Sequence, residues 1–254
     1  MSSYNCRLYE YPVGTHVTFY DKTILNNKND IFKILHNNFK KSYHNEERTE
    51  LQEKHCIEQS ANASKNKIYN IARSNEWEWF ITLTFDREKV DSSNYDEVTK
   101  KLQKFLNHLK ERYSPDLKYL IVPELHKDKL HYHFHGILAN TGSIRFLPSG
   151  HYTDDNEKIY NIKNWSFGFT TATRVKDSQR VSSYITKYIS KDLCFSLKNK
   201  KRYYVSRNIN VTEPVYGVCE KKDIYEYYED DITFIKNVTI PKAGQNITYF
   251  EIKK

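Results

Sequence analysis

The sequence predicts an α+β fold in which helices pack on an antiparallel sheet. The elements expected between residues 77 and 193 follow the order β-α-β-β-…-β-α, whereas a doubly wound fold would alternate strands and helices strictly. The 254 residues include 21 Tyr and 13 Phe, which provide enough ring area for a core although 28% of the chain is charged. We therefore expect one large domain with extensions at both ends.

The first extension combines a hairpin with helices. Residues 7–20 alternate loosely between apolar and polar around the segment PVG, a pattern typical of a short β-hairpin. From about residue 30 to 74 the composition shifts to Lys, Asn, Glu and His, with sparse apolar residues at helical spacing. We assign residues 1–75 to this hairpin and helical extension. The apolar positions that predict its two helices are Ile31, Ile34, Leu35 and Phe39, followed by Ile57, Ile68 and Ile71.

A denser pattern of elements predicts a central domain over residues 76–208. The segment EWFITLTF is aromatic and β-branched, which favours a strand with Ile81, Leu83 and Phe85 on one face. The tail after this domain is rich in Tyr, Ile and Val, so we predict a strand-rich C-terminal extension over 209–254. Within the domain we predict strands at 78–85, 117–124, 130–139 and 169–175, helices at 95–113 and 178–193, and a loop at 141–168.

Three histidines alternate along the predicted strand HYHFHGIL. Successive side chains of a strand point to opposite faces, so His131, His133 and His135 share one face. The preceding strand ends at Glu124, which the intervening turn places across the ladder from them. Two imidazoles and one carboxylate suit Mn²⁺ or Mg²⁺. The alternative is that these are solvated histidines on a polar strand face, as we expect for His126 in the turn.

A second candidate site lies on the predicted helix of the segment SSYITKYISKD. Helical spacing places Tyr184, Lys187, Tyr188 and Lys191 on one continuous face. A tyrosine hydroxyl can form a covalent bond with a nucleic-acid phosphate, and nearby lysines can offset the charge that develops in the transition state. The alternative is an ordinary amphipathic helix in a chain rich in tyrosine and lysine.

These motifs together resemble the HUH superfamily of single-strand endonucleases. The strand FITLTF, Glu124 followed by HYHFHG, and the downstream YITKYISK occur in the order typical of rolling-circle replication initiators (Rep) of bacterial plasmids and single-stranded DNA phages, of the double-tyrosine YxxKYxxK type. The resemblance implies an RRM-like antiparallel palm with helices on its faces. It also implies that Glu124, His133 and His135 bind the metal and that Tyr184 and Tyr188 are the nucleophiles.

The resemblance further implies a site-specific single-strand DNA endonuclease and ligase. Such an initiator nicks single-stranded origin DNA, keeps a 5′-phosphotyrosine bond, leaves a free 3′-OH for a host DNA polymerase and later rejoins the DNA to release circles. The sequence contains no GxxxxGK[ST] segment, so we expect no ATPase and a dependence on a host helicase. Two alternatives stay open: a transposase or relaxase of the same superfamily, and a catalytically silent regulator that binds single-stranded DNA.

Other residues are candidates for DNA contacts. The net charge of +8 is compatible with a polyanionic partner. Thr82 and Thr84 lie on the polar face of the FITLTF strand, and Arg202 and Arg207 follow the tyrosine helix, where they could contact phosphates. Three aromatic residues could stack on unpaired bases or belong to the core. These are Trp165, Tyr203 and Tyr204.

Composition also predicts where the protein is found. No window approaches the length of about 18 apolar residues that a membrane-spanning helix needs, and the N-terminal residues lack the apolar region of a signal peptide. The four cysteines are far apart and form no CxxC pair. We therefore expect a cytoplasmic protein without a membrane partner.

Overall fold

The computed structural model describes residues 3–25 and 50–254. The chain divides into two compact units, one formed by residues 53–211 and the other by residues 1–52 together with 212–254. Each unit contains one sheet of antiparallel strands, with helices packed on the sheets. The predicted α+β class is confirmed.

The strands and helices are numbered in chain order. The strands are β1 (Ser3–Tyr11), β2 (Gly14–Leu25), β3 (Trp79–Phe85), β4 (Lys118–Leu125), β5 (Tyr132–Ala139), β6 (Phe146–Tyr152), β7 (Lys158–Ile162), β8 (Gly168–Arg174), β9 (Tyr204–Val205), β10 (Val215–Gly217), β11 (Ile232–Ile240) and β12 (Gln245–Ile252). The helices are α1 (Glu50–Arg73), α2 (Tyr95–Arg112), α3 (Ser178–Ile185), α4 (Lys191–Ser196) and α5 (Lys221–Tyr228).

The unit of residues 53–211 is built on a seven-stranded sheet of order β6-β7-β8-β3-β5-β4-β9. One face of this sheet shares a hydrophobic core with α1 and α2. Helix α2 begins after Asn94, whose side chain accepts hydrogen bonds from two backbone N–H groups of the first turn. Its buried stripe has the helical spacing that predicts it. The stripe consists of Val98, Leu102, Phe105, Leu106 and Leu109.

Strand alternation separates the two faces of this sheet. On β3, Ile81 and Leu83 are completely buried, and the intervening threonines are half-buried on the opposite face. In the antiparallel ladders Thr82 pairs with His135 and Glu124 pairs with His133. We call the face that carries Thr82, Thr84, His133 and His135 the histidine face.

The prediction of a loop over 141–168 is wrong. Strands β6 and β7 form a hairpin there, with Phe146 opposite Ile162. The ring of Phe146 stacks on Trp79 at a centroid distance of 3.9 Å, and Ile162 is buried. This tertiary packing stabilises strands that the polar local composition did not indicate.

The predicted helix over 178–193 is interrupted. Helix α3 ends at Ile185, a 3₁₀ turn follows over Thr186–Tyr188, and α4 begins at Lys191. The cause is Ser190, whose backbone is extended and whose side chain accepts a hydrogen bond from the Leu193 N–H, as in an N-cap. A single continuous face carrying both tyrosines and both lysines is therefore wrong.

The second unit contains a five-stranded sheet of order β10-β1-β2-β12-β11. The predicted hairpin is confirmed and extends to Leu25. Strands from the tail complete the sheet, and Phe250 of β12 packs in one core with Val17 of β2. Helix α5 was not predicted, since the tail was expected to contain strands.

The helical prediction for residues before 75 is described only in part. Helix α1 contains Ile68 and Ile71, which are both buried. The prediction based on Ile31, Ile34, Leu35 and Phe39 lies outside the described residues.

Candidate functional site

Both histidine rings are held by threonines of the neighbouring strand. The Thr82 Oγ1 atom lies 3.1 Å from His135 Nδ1, and Thr84 Oγ1 lies 3.1 Å from His133 Nδ1. A hydrogen bond at one ring nitrogen fixes the orientation of an imidazole and leaves the other nitrogen for a ligand. The two threonines predicted to contact DNA thus contact the histidine rings.

Glu124 contacts the second of these histidines directly. Its Oε2 atom is 2.6 Å from His135 Nε2, although its ladder partner is His133. The hydrogen bond from His135 lowers the pKa of the Glu124 carboxyl, so this group is an anion at neutral pH. A half-exposed carboxylate therefore faces two imidazoles, as the strand pattern predicts.

The turn before β5 adds contacts that sequence analysis missed. The ring of His126 stacks on His133 at a centroid distance of 4.9 Å. Burial lowers the pKa of His133, and His126 and His135 lower it further. His133 therefore stays neutral to lower pH than an ordinary histidine, which is the form that binds metals.

Asp128 organises this turn. Its carboxylate accepts hydrogen bonds from the backbone N–H groups of Leu130 and His131 and from the Arg87 side chain. These backbone hydrogen bonds hold the pKa of Asp128 well below its usual range. His131 Nδ1 lies 2.8 Å from the same carboxylate, so the third histidine contacts the turn. An Asp two residues before a backbone N–H is a recognisable turn signal.

The tyrosines meet the histidines through ring contacts. Tyr188 stacks on His135 at a centroid distance of 3.6 Å and an interplanar angle of 10°. Tyr184 packs edge-on against Tyr188 and against Phe80. Burial and a hydrogen bond with Tyr184 raise the pKa of Tyr188. The role of Phe80 was not foreseen, although strand alternation places it on the same face as Thr82.

The motifs that meet here lie far apart in the sequence. Residues 78–193 match a family model of replication-associated proteins, the one described by the name ORF2. The matched segment runs from β3 into α4 and contains the glutamate, both paired histidines and both tyrosines. The match supports a Rep-type protein with a role in DNA replication. No curated protein and no solved structure matches the chain. In the described part of the chain, no helix has the length and apolarity to cross a membrane.

The two lysines of the matched segment have different surroundings. Lys187 Nζ lies 4.7 Å from the centre of the Tyr184 ring, a cation–π contact next to the candidate nucleophile. Lys191 forms an ion pair with Glu58 of α1 at 2.6 Å. The break at Ser190 therefore separates the second lysine from the tyrosine pair.

The arginines and aromatic residues proposed for DNA contact have partners within the protein. Arg202 donates to the Ser60 hydroxyl at 2.7 Å, and Arg207 lies near enough to Tyr119 to lower the pKa of its hydroxyl against the larger effect of burial. Trp165 and Tyr204 are buried in the core, and Tyr203 packs against it. The core interpretation of Trp165 and Tyr204 is therefore correct, and neither offers a face to a base.

The donor atoms fit a divalent cation better than their present positions do. In residues 3–25 and 50–254, no group of three His, Cys, Asp or Glu side chains is arranged to hold a metal ion. The reason is that Glu124 and His135 contact each other directly. The donor types still fit, because the threonines occupy both Nδ1 atoms and leave two imidazole nitrogens beside one carboxylate.

Proposed function

We propose that the protein initiates rolling-circle replication by nicking single-stranded origin DNA through attack by a tyrosine. The observation that carries this proposal is the contact chain Glu124–His135–Tyr188. It joins three motifs that are distant in sequence, inside the segment that matches a replication-associated family. A structural role explains each contact singly, but it does not explain why a nucleophile, two metal-binding imidazoles and an acid meet at one point.

The bonds exchanged in the proposed reaction balance without water. The hydroxyl oxygen of Tyr188 or Tyr184 forms a bond with phosphorus while the bond from phosphorus to the 3′-oxygen breaks. The phenol loses its proton and the 3′-oxygen gains one. The product is a 5′-phosphotyrosine with a free 3′-OH, which a host polymerase can extend after a host helicase has separated the strands. The second tyrosine can repeat the exchange and release a closed circle.

Glu124, His133 and His135 are the residues proposed to hold Mn²⁺ or Mg²⁺. A bound divalent cation supplies Lewis-acid polarisation of a phosphate oxygen. The chain itself contributes the threonines that fix both rings and the burial that keeps His133 neutral. Glu124 has to release His135 to act as a ligand, and its half-exposed position allows this movement.

Basic residues are proposed to bind the DNA phosphates. Lys187 lies at the tyrosine pair and is the best placed to offset charge on the reacting phosphate. Lys191, Arg202 and Arg207 remain candidates for contacts further along the strand, with their ion pair and hydrogen bonds exchanged for phosphate contacts. The proposed activity is that of a site-specific endonuclease and ligase without an ATPase.

A covalent adduct is the direct test of this function. We expect incubation with Mn²⁺ and single strands that tile the replicon encoding the protein to give a protein–DNA adduct that survives denaturation. Excess EDTA or the substitution His133→Ala should abolish it, because one imidazole ligand is lost. His108→Ala, which changes an exposed histidine of α2, is the matched control and should retain the adduct. The absence of an adduct with every strand would refute the proposal.

A further inference from the structure

An exposed phenylalanine stands on the histidine face beside the candidate site. Phe169 lies at the start of β8 and is 70% exposed. Its ladder partner is Thr84, the residue whose hydroxyl holds the His133 ring. Directly paired residues of an antiparallel ladder share one face. The Phe169 ring therefore belongs to the same surface as the histidines.

The backbone next to Phe169 is built to keep it there. A Cβ atom on Gly168 would lie 2.3 Å from the Thr84 carbonyl oxygen and 2.5 Å from the Asp86 nitrogen. Only glycine allows β8 to approach the end of β3 this closely. Trp165 donates from its indole to the same Thr84 carbonyl at 3.1 Å. The phenylalanine is thus presented on a close-packed frame, although its ring is left in water.

A cavity of about 660 Å³ lies next to this ring. It is lined from β8 by Phe169 and Thr171 and from β7 by Ile159 and Asn161. No Asp or Glu occurs among the described residues that line it. The cavity offers an aromatic face, apolar surface, a hydroxyl and an amide, and it contains no carboxylate that would repel a phosphate.

The cavity continues toward the tyrosine pair. A second cavity of about 510 Å³ is lined by Phe80 and Tyr184 and shares Ile159 and Thr171 with the first. Thr171 pairs with Thr82 in the ladder, so both cavities open on the histidine face. The surface from Tyr184 to Phe169 is therefore one continuous track across β8.

We propose that Phe169 is a stacking platform for an unpaired base of the DNA strand that reaches the tyrosines. The proposal rests on the proposed function and adds a base-binding position to it. Bases of a duplex are stacked on each other, so only a single strand can offer a free base to the ring. The polar groups of Thr171 and Asn161 can contact the edge of that base, and the net charge of +8 suits its backbone.

Binding of a short single strand tests this platform. The probe is fluorescein-labelled oligothymidylate of about 16 nucleotides, compared with an abasic strand of equal length, by fluorescence anisotropy with the full chain. Phe169→Ala should weaken oligothymidylate binding by about 5- to 100-fold, because one aromatic stack is lost. Its affinity for the abasic strand should stay unchanged, and Phe169→Trp should retain tight binding of both.

Phe195 of α4 provides the matched control. It is also exposed, at 64%, and lines neither cavity, so Phe195→Ala should bind both strands like the original protein. Equal affinity of Phe169→Ala and the original protein for oligothymidylate would overturn the platform. An equal loss with Phe195→Ala, or a change of oligomeric state in Phe169→Ala, would overturn it as well.

Failure of the platform is distinguishable from failure of the nicking function. At saturating origin strand, Phe169→Ala should still form the tyrosine adduct, since the substitution leaves the tyrosines and histidines in place. Normal DNA binding by Phe169→Ala with an intact adduct refutes only the platform. A base-dependent loss of binding in Phe169→Ala, without an adduct in the original protein, refutes only the nicking chemistry.

Discussion

Two threonine hydroxyls determine how the candidate metal ligands are oriented. Thr82 and Thr84 look like ordinary polar residues of a half-buried strand, and the sequence gives no sign that they touch His135 and His133. Their role follows from the register of β3 against β5, which places Thr82 opposite His135. A single-residue shift of that register would turn both threonines to the core.

We predict that Thr82→Val weakens Mn²⁺ binding by about 10- to 100-fold. Valine keeps the shape of threonine but leaves His135 Nδ1 without its hydrogen bond, so the ring is no longer fixed. Isothermal titration calorimetry with Mn²⁺ measures the effect. Thr171→Val is the control, because Thr171 pairs with Thr82 in the ladder and is exposed on β8. Unchanged Mn²⁺ affinity in Thr82→Val would contradict a positioning role.

At the scale of single residues, sequence analysis identified the types of the site but not all of its contacts. Alternation gives His133 and His135 a common face, and helical spacing brings Tyr184 near Tyr188, as the ring contact shows. Lys191 and His126 were misplaced, because their positions depend on a helix break and on a turn. Local periodicity does not encode such tertiary contacts.

At the scale of the element, β5 depends on a glycine inside the strand. Gly136 follows His135, and a Cβ at this position would lie 2.2 Å from Ile121 Cδ1 and 3.2 Å from the Leu120 carbonyl oxygen. The close approach of β4 and β5 leaves no room for a side chain. Glu124 and the histidines are carried by the same two strands, so this packing also fixes their spacing.

We predict that Gly136→Ala lowers the free energy of unfolding by about 1–3 kcal/mol. The added methyl group overlaps the Ile121 side chain in a fully buried position. The double variant Gly136→Ala with Ile121→Val removes the overlapping δ-methyl group, and it should recover part of the loss. Chemical denaturation of each variant measures these values. A Gly136→Ala protein as stable as the original would contradict the packing described for β4 and β5.

The elements that the sequence predicts best are those with long, regular patterns. Strand β3 and helix α2 lie within a residue of the predicted bounds, because each buries one face at its own period. The hairpin of β6 and β7 was missed because its stability comes from Phe146 packing on Trp79. The helix break was missed although Ser190 is a favourable N-cap residue.

At the scale of the whole molecule, the two ends of the chain form one sheet. Strand β2 pairs with β12, and the Asn5 side chain hydrogen-bonds the Cys219 backbone across a separation of 214 residues. Single-sequence patterns predict strands in both regions but cannot assign such distant partners. The predicted extensions over 1–75 and 209–254 thus contribute strands to a common five-stranded sheet.

The central claim concerns the unit of residues 53–211, where the two tyrosines meet the histidine face. Tandem mass spectrometry of the nuclease-digested protein–DNA adduct tests it most directly. We predict that the residual nucleotide is bonded to Tyr188 or Tyr184, and that the double variant Tyr184→Phe with Tyr188→Phe lowers the adduct yield by about 10³-fold or more. A nucleotide bonded to any other residue, or a full yield of adduct from the double variant, would contradict the account.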